Sequence, residues 1–210
     1  IFVLLVGFIG GTLLSASNLE LQPSLETAHV EGEKIVELGI PAVDEEGKGV
    51  VGKITTTIRP GTGKTNVNVD NVISFPSFQQ SAKFARAAAA NFTKLDLSAI
   101  DIDFDVKVNA SVIEGPSAGS TMATAVALLL ENIKPSPDIM MTGTILENTT
   151  VGLVGAILEK ATAAKEAGAT IFLVPAGQGS QLSSTRTRTC RQAGSFQVCR
   201  VNYQYNPVSI

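Results

Sequence analysis

The chain has 210 residues, which is enough for one substantial domain with a small appendage. Its hydrophobic fraction of 44% and charged fraction of 17% are typical of a globular chain with a good core. A formal net charge of −3, together with the absence of tryptophan, argues against nucleic acid as the main partner.

The first sixteen residues are almost entirely apolar, and the first charged residue is Glu20. As a helix this stretch would be roughly 24 Å long, slightly short of a bilayer core. Ser15-Ala16-Ser17 has the small-x-small character of a cleavage site. We therefore expect residues 1–17 to be a truncated signal peptide or membrane anchor, so that the following domain is membrane-anchored or exported. A buried core helix or strand is the alternative.

The polar segment 18–33 is predicted to be a tether in which His29, the single histidine, is exposed to solvent. Three segments beyond the tether are predicted to be strands: Lys34–Ala42, Val50–Ile58 and Thr65–Asp70. The charged, glycine-containing turn between the first two suits a β-hairpin.

The segment Arg59–Thr65 ends in Gly63-Lys64-Thr65, which resembles the end of a Walker A loop. That motif requires a glycine five residues before Gly63, where this chain has Ile58, and it opens a helix. We therefore expect a second hairpin turn here, joining two strands, rather than a phosphate-binding site.

The next two elements show clear periodicities. Ser77–Phe92 is predicted to be a helix with one apolar face, formed by Phe78, Ala82, Ala85, Ala89 and Phe92. Ile100–Val108 alternates as a strand, with Asp101, Asp103 and Asp105 on the face opposite its apolar residues. Such an acidic row indicates a solvated sheet face more often than a cation site.

The stretch Glu114-Gly115-Pro116-Ser117-Ala118-Gly119-Ser120-Thr121 leads into an apolar segment that is predicted to be a buried helix, Ser117–Asn132. Ser117 therefore lies at or just before a helix N-terminus. There the free N–H groups and the helix dipole can stabilise an alkoxide or an oxyanion. The residues alone leave two roles open for Ser117, a helix N-cap and a nucleophile.

A serine nucleophile needs a base. The single histidine, His29, lies in the polar N-terminal segment, so a Ser-His-Asp triad is not expected. Lysine can serve instead if burial lowers its pKa. On a helical wheel of residues 156–168, Lys160 lies beside Ile157 and Ala164, near the small-residue face. The alternative is a surface lysine whose stem packs on apolar neighbours.

The remaining segments of the chain are predicted to contain two strands and a loop, and they include both cysteines. Ile139–Ile145 is predicted to be a buried strand that carries Thr142, and Thr170–Val174 another strand. Gln178–Arg191 is rich in serine, threonine and arginine and is expected to be a loop. Cys190 and Cys199 could close a β-hairpin as a disulfide if the chain is exported, and are free thiols otherwise; two cysteines cannot form a zinc site alone.

Six short motifs follow one another in a characteristic order: Glu114–Gly119, Thr121–Ala125, Met141–Gly143, Val151–Gly155, Glu159–Ala164 and Val174–Pro175. In order and spacing they resemble the proteolytic domain of Lon, the Ser-Lys peptidase family. The resemblance covers over half of the chain, and it extends more loosely back to about residue 40.

This resemblance implies that Ser117 is the nucleophile and Lys160 the base. It implies that Thr142 hydrogen-bonds the lysine or the serine, and that Glu114 stands where the family has an acidic residue. Backbone N–H groups around Ser117 and Gly115 would hold the oxyanion.

The alternation of strands and helices predicts a mixed α/β (α+β) fold over residues 34–210, with antiparallel N-terminal strands followed by strand–helix units, and the spacing of the two cysteines suggests a C-terminal hairpin. The resemblance implies the same mixed fold. Lon carries an ATPase module ahead of this domain, and no ATPase signature occurs here, so we expect a free-standing, archaeal-type Lon-like protease. Histidines common in the family's strand before the serine loop are absent, and aspartates occupy that strand.

The sequence thus predicts an ATP-independent serine endopeptidase that acts on unfolded or extended polypeptides through a Ser-Lys dyad, without a cofactor or metal. A homo-oligomer, a hexamer by resemblance, is expected. The N-terminal segment predicts membrane attachment with the protease domain outside the cytoplasm. The alternative is a non-catalytic Lon-like domain used for peptide binding or assembly.

Overall fold

The computed structural model describes residues 25–69, 73–74, 76–108, 112–113, 115–193 and 196–209. The predicted signal peptide or anchor, residues 1–17, lies outside these ranges, and so does Glu114. Within the described ranges, no helix combines the length and apolar character that a bilayer crossing requires.

The described residues form three α-helices and a series of β-strands. The helices are α1 (Pro76–Thr93), α2 (Gly119–Leu130) and α3 (Ile157–Glu166). The strands are β1 (Glu26–Thr27), β2 (Lys34–Val43), β3 (Gly49–Pro60), β4 (Thr65–Val69), β5 (Ile73–Ser74), β6 (Leu95–Asp96), β7 (Ile100–Lys107), β8 (Val112–Ile113), β9 (Ile139–Met141), β10 (Thr144–Ile145), β11 (Val151–Gly152), β12 (Ile171–Leu173), β13 (Ser180–Ala193) and β14 (Phe196–Ser209). The mixed α/β fold class predicted from the sequence is confirmed.

Four strands form the main sheet, in the order β2-β3-β7-β4. β2 and β3 are antiparallel and are joined by the turn at Asp44–Lys48, which confirms the first predicted hairpin. The second predicted hairpin, at Arg59–Thr65, is wrong. β7 lies between β3 and β4, antiparallel to β3 and parallel to β4. Local turn residues do not reveal that a strand from later in the chain inserts between two neighbours.

The core lies on one face of this sheet, under α1 and α2, which pack against each other. The period of two along β7 directs Phe104 and its alternate neighbours into the core. The alanines of α1 allow the two helices to approach closely. Phe92, which the sequence placed on the apolar face of α1, is instead 75% exposed at the helix end.

The acidic row of β7 belongs to the opposite face of the sheet. Asp101 accepts hydrogen bonds of 2.8 Å from the backbone N–H groups of Thr62 and Lys64, and these bonds hold its pKa below the usual range. Asp103 pairs with Arg59 on the neighbouring strand. The aspartates are therefore part of a hydrogen-bonded sheet surface.

The polar segment before residue 34 differs from a free tether where the structure describes it. β1 pairs in parallel with β6, and Ala28 and Val30 are buried in the core. His29, between them, is exposed, as predicted. A short alternation of two apolar residues among polar ones was sufficient to bury one side of the segment.

The segment Gln178–Arg191 was expected to be a loop, and this is wrong. β13 and β14 form a long antiparallel pair, here named the C-terminal ribbon (residues 180–209). A disulfide joins Cys190 to Cys199 across it. Alternating threonine and arginine suits a ribbon with two solvated faces, a pattern that hydrophobic periodicity does not reveal.

Candidate active site

Ser117 lies in a tight turn immediately before α2. Gly115 opens this turn with a φ of +88°, a backbone conformation that favours glycine, and the N–H of Gly119 closes it on the carbonyl of Pro116 at 3.0 Å. The N-cap position belongs to Ala118. The Ser117 side chain is therefore not the helix cap that the sequence left open, and its half-buried position leaves it accessible to a substrate.

A second segment fixes the serine turn from outside. The N–H of Gly143 donates to the carbonyl of Ser117 at 3.0 Å, and the N–H of Ser120 donates to the carbonyl of Gly143 at 2.9 Å. A Cβ at Gly143 would lie 2.8 Å from the Val151 side chain and 3.0 Å from the Ser120 hydroxyl oxygen. The two hydrogen bonds of Gly143 are here named the clamp on the serine turn. Only glycine fits at this position without a shift of its neighbours.

The clamp explains a difference from the predicted strand Ile139–Ile145. That strand is interrupted at Thr142-Gly143, between β9 and β10. The sequence assigned a role to Thr142 and none to Gly143, although the Met-Thr-Gly motif contained the signal. Gly143 is used because its backbone, rather than a side chain, contacts the serine turn.

Lys160 comes from the first half of α3. Ala156 precedes this helix with left-handed φ and ψ angles of 54° and 43°, and its carbonyl accepts the Lys160 N–H at 3.1 Å. Lys160 shares the buried face of the helix with Ile157 and Ala164, and only 4% of its surface is exposed. The helical-wheel prediction is confirmed in this respect, and Lys160 is not a surface lysine.

The structure brings three of the predicted site residues together. The Nζ atom of Lys160 lies 3.0 Å from the Oγ atom of Ser117. It also donates to the Oγ1 atom of Thr142 at 3.5 Å, and that hydroxyl donates to the Ser117 carbonyl at 3.4 Å. The expectation that Thr142 contacts the lysine is met, and the hydroxyl also links it to the backbone of the serine.

Burial controls the charge of Lys160. Removal from water disfavours the ammonium form and lowers the pKa of the amine from its ordinary value. Within the described part of the chain, no carboxylate lies within ion-pair distance of Lys160 to offset this effect. Lys160 is therefore biased toward the neutral form that can accept a proton.

Other predicted residues lie elsewhere or outside the described ranges. Gly115 forms the serine turn, but the Glu114 side chain is not described. The aspartates of β7 engage their own sheet neighbours. Over the described ranges, no cluster of histidine, cysteine and carboxylate side chains has the geometry of a metal site.

This arrangement can perform acid–base and nucleophilic chemistry at one point. A hydroxyl and a desolvated amine are in hydrogen-bond contact, and the hydroxyl belongs to a turn that leads into the N-terminus of α2. A hydroxyl nucleophile and a base within hydrogen-bond reach are the features that acyl transfer requires.

The chain is similar in sequence to a known protein family and to several known proteins. Residues 38–198, most of the chain, match the family described as the Lon protease (S16) C-terminal proteolytic domain. The archaeal Lon protease of Archaeoglobus fulgidus is 28% identical over 166 residues, which are 77% of this chain and 26% of that protein. The Lon protease of Methanosarcina barkeri is 34% identical over 125 residues, or 58% of this chain and 16% of that protein.

The Lon protease of Campylobacter concisus is 43% identical over a shorter stretch of 75 residues, 36% of this chain and 9% of that protein. Across these three relatives the chain spans between 9% and 26% of their lengths. The chain belongs to the family of Lon protease C-terminal proteolytic domains.

Proposed function

We propose that this chain is a serine endopeptidase in which Ser117 is the nucleophile and Lys160 the general base. The observation that carries the proposal is the 3.0 Å contact between the Ser117 hydroxyl and a lysine that is 4% exposed. A charged surface lysine would be a poor base at neutral pH, whereas a desolvated amine is a competent one.

The proposed reaction has two halves. Neutral Lys160 takes the proton from the Ser117 hydroxyl as its oxygen attacks the scissile carbonyl carbon, and the C=O bond opens to an oxyanion. Lys160 then gives this proton to the leaving amine, the C–N bond breaks, and an acyl-enzyme ester remains on Ser117. A water molecule, deprotonated by Lys160, attacks the ester carbonyl carbon. The bond between this carbon and the Ser117 oxygen then breaks, Lys160 gives its proton to that oxygen, and the carboxylic acid leaves.

Backbone N–H groups of the turn Gly115–Ala118 would stabilise the oxyanion. The turn precedes the N-terminus of α2, where the helix dipole is positive. The clamp from Gly143 holds the carbonyl of Ser117 and thereby fixes the orientation of the turn. The stabilising groups would therefore be in place before the substrate arrives.

Thr142 is proposed to orient the base. Its hydroxyl accepts one N–H of Lys160 and donates to the Ser117 carbonyl, so the amine is fixed from one side. An N–H directed at Thr142 leaves the lone pair of the neutral amine free to face the Ser117 hydroxyl.

We propose extended or unfolded polypeptides as substrates, docked by strand addition beside the site. An apolar cavity of about 350 Å³ next to α2 is lined by Ser120, Ile145 and Val151 among others. Ser120 follows Ser117 by three residues, so this cavity is a candidate for an apolar side chain of the substrate. The steps above need no nucleotide, and we propose that hydrolysis proceeds without ATP.

Export remains part of the proposal. The Cys190–Cys199 disulfide favours an oxidising compartment outside the cytoplasm. Membrane attachment through residues 1–16 and assembly into a homo-oligomer stay predictions from the sequence. Each is tested by fractionation of cells that express the chain and by the mass of the purified protein in solution.

The decisive experiment compares purified wild type with Ser117→Ala and Lys160→Ala on unfolded casein, with and without ATP. Both variants should lose cleavage by orders of magnitude, while Lys165→Ala, an exposed lysine on the same helix, should retain it. A fluorophosphonate probe followed by mass spectrometry should label Ser117. Cleavage by either site variant would refute the dyad, and a wild type without activity or labelling would favour a non-catalytic binding domain.

A further inference from the structure

The C-terminal ribbon is a two-stranded sheet to which no third described strand is paired. Each strand has 14 residues and spans roughly 46 Å at about 3.3 Å per residue. None of the other described elements packs extensively against it. Described side chains on both faces are exposed, including Arg188 on one face and Arg191 on the other. Among the described residues, both strand edges of the ribbon therefore lack a backbone partner, and side chains on each of its faces are exposed.

The ribbon is also where positive charge is concentrated. The segment from Gly177 to the end contains four arginines and no acidic residue or lysine, so the rest of the chain carries a formal net charge of −7. The arginines are Arg186, Arg188, Arg191 and Arg200, and all four are exposed. No ion pair to these arginines is found in the described part of the chain. Arg188 donates a hydrogen bond of 3.2 Å to the Sγ atom of Cys199, and none of the four guanidinium groups pairs with a carboxylate of the described residues.

The register of the ribbon determines which backbone N–H and C=O groups point outward from the edge of β13. Cys190 and Cys199 are directly opposite, with a Cα–Cα distance of 4.0 Å, which identifies a pair that exchanges no backbone hydrogen bonds. The N–H and C=O groups of such residues point away from the partner strand. By the same alternation, Arg186 and Arg188 direct their backbone groups outward from the edge of β13.

We propose that the C-terminal ribbon binds an extended, acidic segment of the polypeptide substrate by strand addition. The backbone of the segment would pair with the outward N–H and C=O groups of β13. Its carboxylates, two residues apart, would meet Arg186 and Arg188, which are spaced in the same way on one face. This inference deepens the proposed function and rests on it for the consequence that bound substrate is cleaved.

Two observations favour a polypeptide over other anions. Backbone groups at strand spacing form a hydrogen-bonded ladder only with another backbone of the same spacing, which neither a phosphodiester nor a lipid surface has. The formal charge of −7 on the rest of the chain would repel acidic substrates. The four arginines of the ribbon offset this repulsion locally, because the field of more distant charges is screened over a Debye length of about 8 Å.

Binding is measured first, in Ser117→Ala, so that the result is independent of cleavage. The probe is a fluorescent nine-residue peptide that alternates glutamate and threonine. Replacing Arg186, Arg188, Arg191 and Arg200 by glutamine should weaken its binding by roughly tenfold or more. The control replaces four exposed lysines outside the ribbon by glutamine, which changes the net charge by the same amount as the arginine replacements. These lysines are Lys48, Lys83, Lys134 and Lys165. The control should change binding by less than about twofold.

A second probe separates strand addition from charge alone. The same peptide with N-methyl groups on alternate residues keeps its carboxylates but cannot form the ladder, and it should bind at least roughly tenfold more weakly. Equal binding of both peptides, or no effect of the arginine replacements, would overturn the proposal. So would tighter binding of a single-stranded oligonucleotide of equal charge, or of vesicles containing anionic lipid. Intact-mass measurement of the disulfide confirms that the ribbon of each variant is formed.

Cleavage is measured second, in the background of active Ser117. The four-arginine variant should raise the KM for an acidic polypeptide and leave its kcat unchanged, with no change for a short neutral peptide. An unchanged KM would contradict the role in substrate capture. If the wild type cleaves nothing while the acidic peptide still binds as expected, the proposed function fails and the binding surface stands.

Discussion

The Nζ atom of Lys160 lies 3.0 Å from the Oγ atom of Ser117, although the two residues are 43 positions apart in the chain. One belongs to a turn before α2 and the other to the buried face of α3. The Thr142-Gly143 segment between β9 and β10 contacts both through a hydroxyl and a backbone N–H. The site is thus built from three separate segments, and each makes a different and testable contribution.

The first prediction concerns pH. Burial lowers the pKa of Lys160 below the ordinary lysine value of 10.5, and only the neutral amine can act as base. The kcat/KM for a neutral peptide should therefore rise with pH and level off, with an apparent pKa below 10.5. Lys165→Ala should give the same profile. A rising limb with its midpoint at or above the ordinary lysine value would contradict a desolvated base.

The second prediction concerns stability. As pH falls through 10.5, the unfolded state takes up a proton at this lysine while the folded state does not until its lowered pKa is passed. Burial of Lys160 therefore costs stability below the folded pKa, and the cost disappears as pH rises through 10.5. Lys160→Met should raise the free energy of unfolding more at pH 7 than near pH 10.5, as measured by urea denaturation. A difference that is independent of pH would be inconsistent with this cause.

The third prediction concerns the hydroxyl of Thr142. Thr142→Val keeps the shape of the side chain and removes both hydrogen bonds, so kcat should fall by roughly fivefold or more, the equivalent of about 1 kcal/mol. Thr142→Ser retains the hydroxyl and should restore most of the rate. Because the hydroxyl orients the amine, the apparent pKa of the rate profile should also shift in the valine variant. A loss of stability alone, with an unchanged profile and kcat, would show a purely structural role.

The fourth prediction concerns the clamp on the serine turn. A methyl group at Gly143 would lie 2.8 Å from Val151 and 3.0 Å from the Ser120 hydroxyl oxygen, so Gly143→Ala should destabilise the fold by about 1–3 kcal/mol. Displacement of the clamp should also lower kcat. Gly155→Ala is a matched control, because nothing lies within 4 Å of its added methyl group. Similar thermal stability for both variants would argue against a tight clamp.

The elements with strong periodicity could be predicted from the sequence. The alternation of β7 and the helical spacing of α1 report local geometry, since each side chain's direction depends on a repeat of two or 3.6 residues. The Gly-Pro turn before Ser117 and the small-residue face around Lys160 were readable in the same way. What could not be read was the position of β7 between β3 and β4, because strand order depends on contacts between distant segments.

The strand β13 of the C-terminal ribbon was also not predicted from the sequence. β13 lacks an apolar face, so the periodicity that marks a half-buried strand is missing there, and this segment was expected to be a loop. No role was predicted for Gly143, because a backbone contact leaves no chemical signature except the absence of a side chain. A tertiary contact made by the backbone, such as that of Gly143, is therefore difficult to predict from the sequence.

By itself, the sequence determined the candidate nucleophile and base, the Gly-Pro turn before the serine, and the family to which the domain belongs. Only the tertiary structure decided that the amine is shielded from water and that a glycine backbone holds the serine turn in place. The physical reason is that the basicity of an amine depends on how much solvent surrounds it, and this is set by residues from distant parts of the chain packing around it.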